Sequence, residues 1–231
     1  MRTERIIGDK TCYIYEDGPA SDIFIQAVDA HDLEVLDREV DKIRELALGQ
    51  AFTLIAFLIE DWNRELSPWK APAVFGKEDF GAGAGDTLLY ITEKLLPSIE
   101  KSYPADGKKR YFLGGYSLSG LFALWAAYQT KTFQGIAAVS PSVWFPGWEN
   151  YISENEICTS KVYLSLGDKE EKTRSAVMAK VGEGIRRQYE LLCKESEIET
   201  CVLEWNPGNH FADSEKRMAK GFAWLLNQIP V

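Results

Sequence analysis

The chain has 231 residues, 45% hydrophobic and 12% aromatic, which is enough for one α/β domain with a sizeable core. Its formal net charge is −9 and its pI about 4.9, a balance that repels phosphate backbones and argues against nucleic acid as a partner. Four scattered cysteines (Cys12, Cys158, Cys193 and Cys201) form no CxxC pair, and the two histidines make no metal-ligand cluster, so reduced, mostly buried thiols and no metal are expected.

The opening MRTERIIGDK carries charge with no apolar stretch behind it, and no apolar run reaches the roughly 20 residues that span a bilayer, so a cytoplasmic protein with no membrane partner is expected. Residues 11–15 read as a first strand, and 22–28 (DIFIQAV) as a strand of the kind buried in a parallel sheet. Val35, Leu36, Val40, Ile43, Leu46 and Ala47 recur near helical spacing, which predicts a helix over 34–48 ended by Gly49. Residues 52–59 (FTLIAFLI) form another buried strand, followed by a long loop over 60–85. The GAGAG at 81–85 lacks GxGxxG spacing and a following GK[ST], so it reads as a flexible loop and not a phosphate cradle. Further along, Asp86 caps a helix to residue 100, and strands are expected at 111–113, 136–139, 161–166 and 200–205. Helices are expected at 118–129, 176–193 and 211–228. Strands separated by helices imply right-handed crossovers, hence a mostly parallel central sheet with helices on both faces and a single domain over 1–231.

The most informative stretch is RYFLGGYSLSGLFALWAAY, residues 110–128. A short strand enters a tight turn at Ser117 and an apolar helix leaves it, the arrangement of a nucleophile elbow. The strained serine demands small residues two places before and after it; here these are Gly115 and Ser119, the latter a departure from the usual glycine. Such a turn lifts the hydroxyl to the carboxyl edge of the sheet and aims the Leu118 amide, at a helix N-terminus, toward a developing oxyanion. The bland alternative is that Ser117 merely caps the helix.

A serine hydroxyl needs a base to take its proton. His210, in NPGNHFAD after the last strand, returns to the same sheet edge, and the order serine, acid, histidine is that of α/β hydrolases. His31 precedes the serine and is read as part of the oxyanion loop over residues 28–31, where a main-chain amide is the second donor. The acid should follow KVYLSLG, where Asp168, Glu170 and Glu171 are candidates. Trp62, Asn63, Trp69 and Trp144 lie in loops at strand ends and are candidates to line a substrate pocket; loop tryptophans pinned against the core are the competing reading. The run KEEKTR at 169–174 reads as a solvated helix start apart from any catalytic acid.

With these pieces in place the chain resembles the putative esterase family of α/β hydrolases, which includes enterochelin esterases, S-formylglutathione hydrolases and feruloyl esterases. The resemblance is carried by GGYSLSGLFALWAAY, GIAAVSPSVWFPGW, VYLSLGDKEEKTR and GNHF, and spans about residue 22 to the C-terminal helix. It implies a serine nucleophile at Ser117, a base at His210, an acid three residues past the strand-ending glycine at Glu170 with Asp168 as runner-up, and no cofactor. The expected activity is cleavage of small-molecule carboxylic esters through an acyl-enzyme. Acyl transfer to a non-water acceptor and a non-catalytic binding role on the same fold are the alternatives.

Overall fold

The computed structural model describes residues 2–74, 76–103 and 107–228, and places eight strands among them in one sheet. The strands are β1 (Arg2–Ile7), β2 (Lys10–Glu16), β3 (Asp22–Val28), β4 (Thr53–Leu58), β5 (Arg110–Tyr116), β6 (Phe133–Val139), β7 (Lys161–Gly167) and β8 (Thr200–Asn206). Their order, β1-β2-β4-β3-β5-β6-β7-β8, is that of the α/β-hydrolase fold, with β1, β2 and β4 paired antiparallel and every other pairing parallel. The chain turns one way from β3 to β4 and the other way from β5 to β6, so a switch point falls between β3 and β5, where open α/β sheets bind ligands.

The helices are α1 (Ala30–Leu46), α2 (Trp62–Glu65), α3 (Ala84–Tyr90), α4 (Leu96–Ser102), α5 (Leu118–Gln129), α6 (Trp148–Glu154), α7 (Val181–Leu192) and α8 (Ser214–Asn227). Alternation along the strands sorts the core into two layers. Ile23, Ile25 and Ala27 of β3 pack with α5 and α7 on one face, and Phe24 and Val28 pack with α1 and α8 on the other. The α5 helix is buried from Leu118 to Tyr128, as its nearly all-apolar sequence requires. No helix among the described residues is long and apolar enough to cross a membrane.

Several expectations need correction. The β1 strand was not anticipated, because its charged RTER segment lies exposed at the sheet edge and carries no apolar signal. The helix expected from Asp86 starts at Ala84 and passes through a π-turn (Ile91–Leu95) just before Pro97, a residue that cannot supply the usual helical N–H. Asp86 sits inside its first turn and does not cap it. The loop at 60–85 contains α2, and its GAGAG is packed: the Gly83 amide donates to Arg64 O at 2.8 Å, and a Cβ on Gly81 would lie 2.7 Å from the Arg64 Cα. Only Cys12 of the four free cysteines is buried; Cys193 is exposed at the end of α7.

Candidate active site

At the carboxyl ends of β5, β6, β7 and β8 the chain gathers Ser117, Ser140, Glu170 and His210. Ser117 adopts φ +57° and ψ −120°, a left-handed-side conformation that a residue with a Cβ holds only under constraint. The constraint is visible in the neighbours. The Ser117 amide donates to Val139 O on β6 at 3.1 Å, and its carbonyl accepts from Leu121 and Ser142 amides. A Cβ at Gly115 would stand 2.3 Å from Ser119 Oγ and 2.4 Å from Ser119 main-chain atoms, so only glycine fits there. Ser119 is tolerated because its buried hydroxyl donates to Ala27 O at 2.9 Å, tying the elbow to the end of β3.

His210 Nε2 lies 3.0 Å from Ser117 Oγ, and Nδ1 lies 2.7 Å from Glu170 Oε2. The imidazole is held from behind as well: Tyr116 OH donates to His210 O at 2.6 Å, and the two rings sit 5.3 Å apart. Burial pushes the Tyr116 phenol up to about 12, which keeps it a neutral donor. Ser142 Oγ stands 3.5 Å from Ser117 Oγ, at the outer limit of a hydrogen bond.

Glu170 is 6% exposed. Burial opposes its ionisation most strongly, but the hydrogen bond and charge of His210, with donors from Ser140 and the Gly167 amide, outweigh it and hold the carboxyl below the ordinary glutamate range. Those last two bonds, both 2.7 Å, fall on Oε1, as does Arg217 Nη1 at 3.0 Å. Arg217, on α8, is 2% exposed. Its Nη2 donates to Pro207 O at 2.9 Å and Asn209 O at 3.1 Å, so one guanidinium grips both Glu170 and the loop that carries His210.

Among Asp168, Glu170 and Glu171, only Glu170 touches the imidazole. Asp168 accepts from the Gly208 amide at 2.8 Å and braces the ends of β7 and β8, and Glu171 pairs with Arg186 at 2.9 Å. Leu118 and His31 are first-turn residues of α5 and α1, where amides have no intrahelical acceptor. The Asp29 amide beside Ala30 is already bonded to Asp32 in a capping box, and among the described residues no acceptor is seen for the first-turn amides of Ala30 and His31. The His31 ring itself faces outward beside Glu34, 3.9 Å away, with the side chain 83% exposed. Trp144 lines a cleft with His210 and Glu170, whereas Trp62 and Asn63 line a separate groove with Asp79 and Phe80. Trp69 packs among Phe145, Trp148 and Tyr151 and donates its indole N–H to Pro146 O at 2.8 Å. Among the described residues no three His, Cys, Asp or Glu side chains gather as a metal site.

Sequence reading missed Arg217, Tyr116 and Ser140. The serines of the SPS after β6 carried a visible signal, being small polar residues at a strand exit. Arg217 carried none, since one arginine in an amphipathic helix looks like a solvated residue.

Comparisons with known proteins bear on the family and the fold. The model of a family described as "Putative esterase" matches residues 47–216. No curated protein matches the chain. Among solved structures, an IroE-like serine hydrolase from Shewanella oneidensis is similar with a TM-score of 0.83 at 17% identity, over 100% of this chain and 82% of that one. The siderophore hydrolase EstA from Aspergillus nidulans gives a TM-score of 0.78 at 17% identity, over 99% and 94%. The enterobactin esterase FES from Shigella flexneri gives 0.69 at 15% identity, over 98% of this chain and 59% of that one. At these identities the structures bear on the fold alone.

Proposed function

Because this chain belongs to the "Putative esterase" family, we propose that it hydrolyses carboxylic esters with Ser117 as nucleophile, His210 as general base and Glu170 as the acid that orients the base. The 3.0 Å approach of His210 Nε2 to Ser117 Oγ carries the reading. With Glu170 ionised, its Oε2 accepts a hydrogen bond from Nδ1–H and leaves the Nε2 lone pair facing the hydroxyl. Ser117 Oγ then attacks the ester carbonyl while its proton passes to Nε2. The tetrahedral oxyanion is received by the Leu118 amide and a second amide from residues 28–31, Ala30 or His31. Collapse of this intermediate expels the alcohol, which takes the proton from Nε2. Water, deprotonated by the same nitrogen, attacks the acyl-enzyme; this second intermediate breaks its bond to Ser117 Oγ, which takes the proton back from Nε2 as the acid leaves. No cofactor enters this scheme, and residues 1–231 act in it as one domain.

Glu170 and not Asp168 is assigned the orienting role because Asp168 is committed to the Gly208 amide. Trp144, in the cleft beside His210, is the aromatic candidate nearest the reacting groups. Replacing Ser117 by alanine should lower turnover of 4-nitrophenyl acetate by about 10⁴-fold or more with the circular dichroism spectrum unchanged. A fluorophosphonate should label Ser117 of the wild-type chain. Hydrolysis that persists in Ser117→Ala, or label attached elsewhere, would overturn the assignment.

A further inference from the structure

The chain carries a net charge of −9, yet the cleft beside His210 is lined by three cations, Lys169, Lys172 and Arg174, all exposed. The acids of the same segment are already engaged. Glu170 is held by His210 and Arg217, and Glu171 is paired with Arg186 at 2.9 Å, with only a lesser attraction to Lys172. Among the described residues neither Lys169 nor Arg174 has a carboxylate within ion-pair distance. Trp144 and Phe211 line the same cleft, the latter 88% exposed and in edge contact with the His210 ring. Phe211 adds apolar surface beside the His210 ring that a ligand in the cleft can cover. The cleft, with a volume of about 330 Å³, has room for one arm of a small molecule.

We propose that this cleft is a subsite for an anionic arm of the ester, a carboxylate or a group of like charge, held by Lys169, Lys172 and Arg174 with its apolar portion against Trp144 and Phe211. The inference rests on the hydrolase reading and narrows its substrate class. Charge complementarity supplies the reason: on a strongly acidic chain an anion is repelled at long range, and cations lining the cleft beside His210 supply a local field of the opposite sign. The KEEKTR run, expected to start a helix in solvent, forms only a short turn over Glu170–Lys172, and α7 begins at Val181. The run's cations face the reaction cleft, and its carboxylates are used up on other partners.

Two matched probe pairs test the proposal. 4-Acetoxybenzoate against its methyl ester places the charge on the alcohol arm, and monomethyl terephthalate against dimethyl terephthalate places it on the acyl arm. In one pair the anionic member should be favoured in kcat/KM by about tenfold at low ionic strength, with the ratio shrinking several-fold in about 0.5 M KCl. The triple substitution Lys169→Gln, Lys172→Gln and Arg174→Gln should bring that ratio close to one. Calorimetry of 4-acetoxybenzoate and monomethyl terephthalate on the Ser117→Ala chain, with and without the triple substitution, reads the subsite apart from turnover. Absence of charge preference in both pairs, or a preference that survives the triple substitution, would overturn the subsite while Ser117-dependent hydrolysis still upheld the hydrolase reading. If no ester is cleaved, the hydrolase reading falls, and calorimetry alone decides the subsite: binding that the triple substitution abolishes supports it, and equal or absent binding sinks it.

Discussion

Glu170 and Glu39 are both almost wholly buried, at 6% and 2% exposed, but their surroundings drive them in opposite directions. At the carboxyl edge of the sheet, Glu170 meets donors from Ser140, Gly167, Arg217 and His210, and its carboxyl is held below the ordinary range. Within the packing of α1, Glu39 meets Gln26 Nε2 at 3.5 Å, and among the described residues its Oε1 has no hydrogen-bond partner. Burial pushes it well above the usual carboxylate range, the Gln26 bond offsets little, and Asp32 and Glu215 add repulsion. Burial alone therefore does not decide whether a carboxylate is charged; the donors around it do. One region holds its carboxylate in the charged form beside an imidazole, and the other disfavours the charged form within the packing.

The sharpest way to break this contrast is to neutralise each acid in turn. Glu170→Gln keeps the size and loses the charge, and should lower kcat about 10³- to 10⁴-fold on 4-nitrophenyl acetate by steady-state kinetics. Glu39→Gln should change kcat less than about twofold, as expected of a site with no part in the transition state. An equal loss in the two variants would erase the distinction. Next in size is the guanidinium behind Glu170. Arg217→Met leaves a buried carboxylate without its cation and should cost about 3–5 kcal/mol in a urea titration.

In the same variant the His210 loop loses two anchors, so kcat should drop about 30-fold with KM altered less than about threefold. Arg217→Lys should recover part of that loss. The acid-side fall in activity should also move to higher pH, because the Glu170 carboxyl loses a neighbouring cation.

The smallest effects concern stability against pH. For Glu170, whose pKa is lowered on folding, the stabilisation is present above 4.5 and is lost as pH falls through the folded value. Glu39 is raised, so its contribution is intact below 4.5 and is lost as pH climbs toward the folded value. Melting curves of Glu39→Gln should therefore show a gain of about 2–4 °C at pH 8. At pH 4 the variant and the wild type should match.

Most of the parallel sheet was legible because apolar runs such as DIFIQAV and FTLIAFLI mark buried strands and the helices between them carry helical periodicity. The turn at Ser117 was legible for a different reason: its steric demands act within five residues, so Gly115 and Ser119 reveal it locally. The β1 strand, α2, α6 and the early start of α3 were not. The β1 strand is made by pairing along the sheet edge with β2, and α2 and α6 are one- and two-turn helices held by packing and not by propensity.

By itself the amino-acid order determined the α/β alternation, the strained serine turn and the succession of serine, acid and histidine, because each depends on local sterics or on which strand a loop follows. Only the tertiary structure decided that Glu170 and not Asp168 meets the imidazole, that Arg217 closes the site from behind, and that the cations of 169–174 face the cleft. Those contacts join residues 40 to 47 positions apart, or depend on which of two neighbouring side chains turns inward, and neither is written in any local pattern.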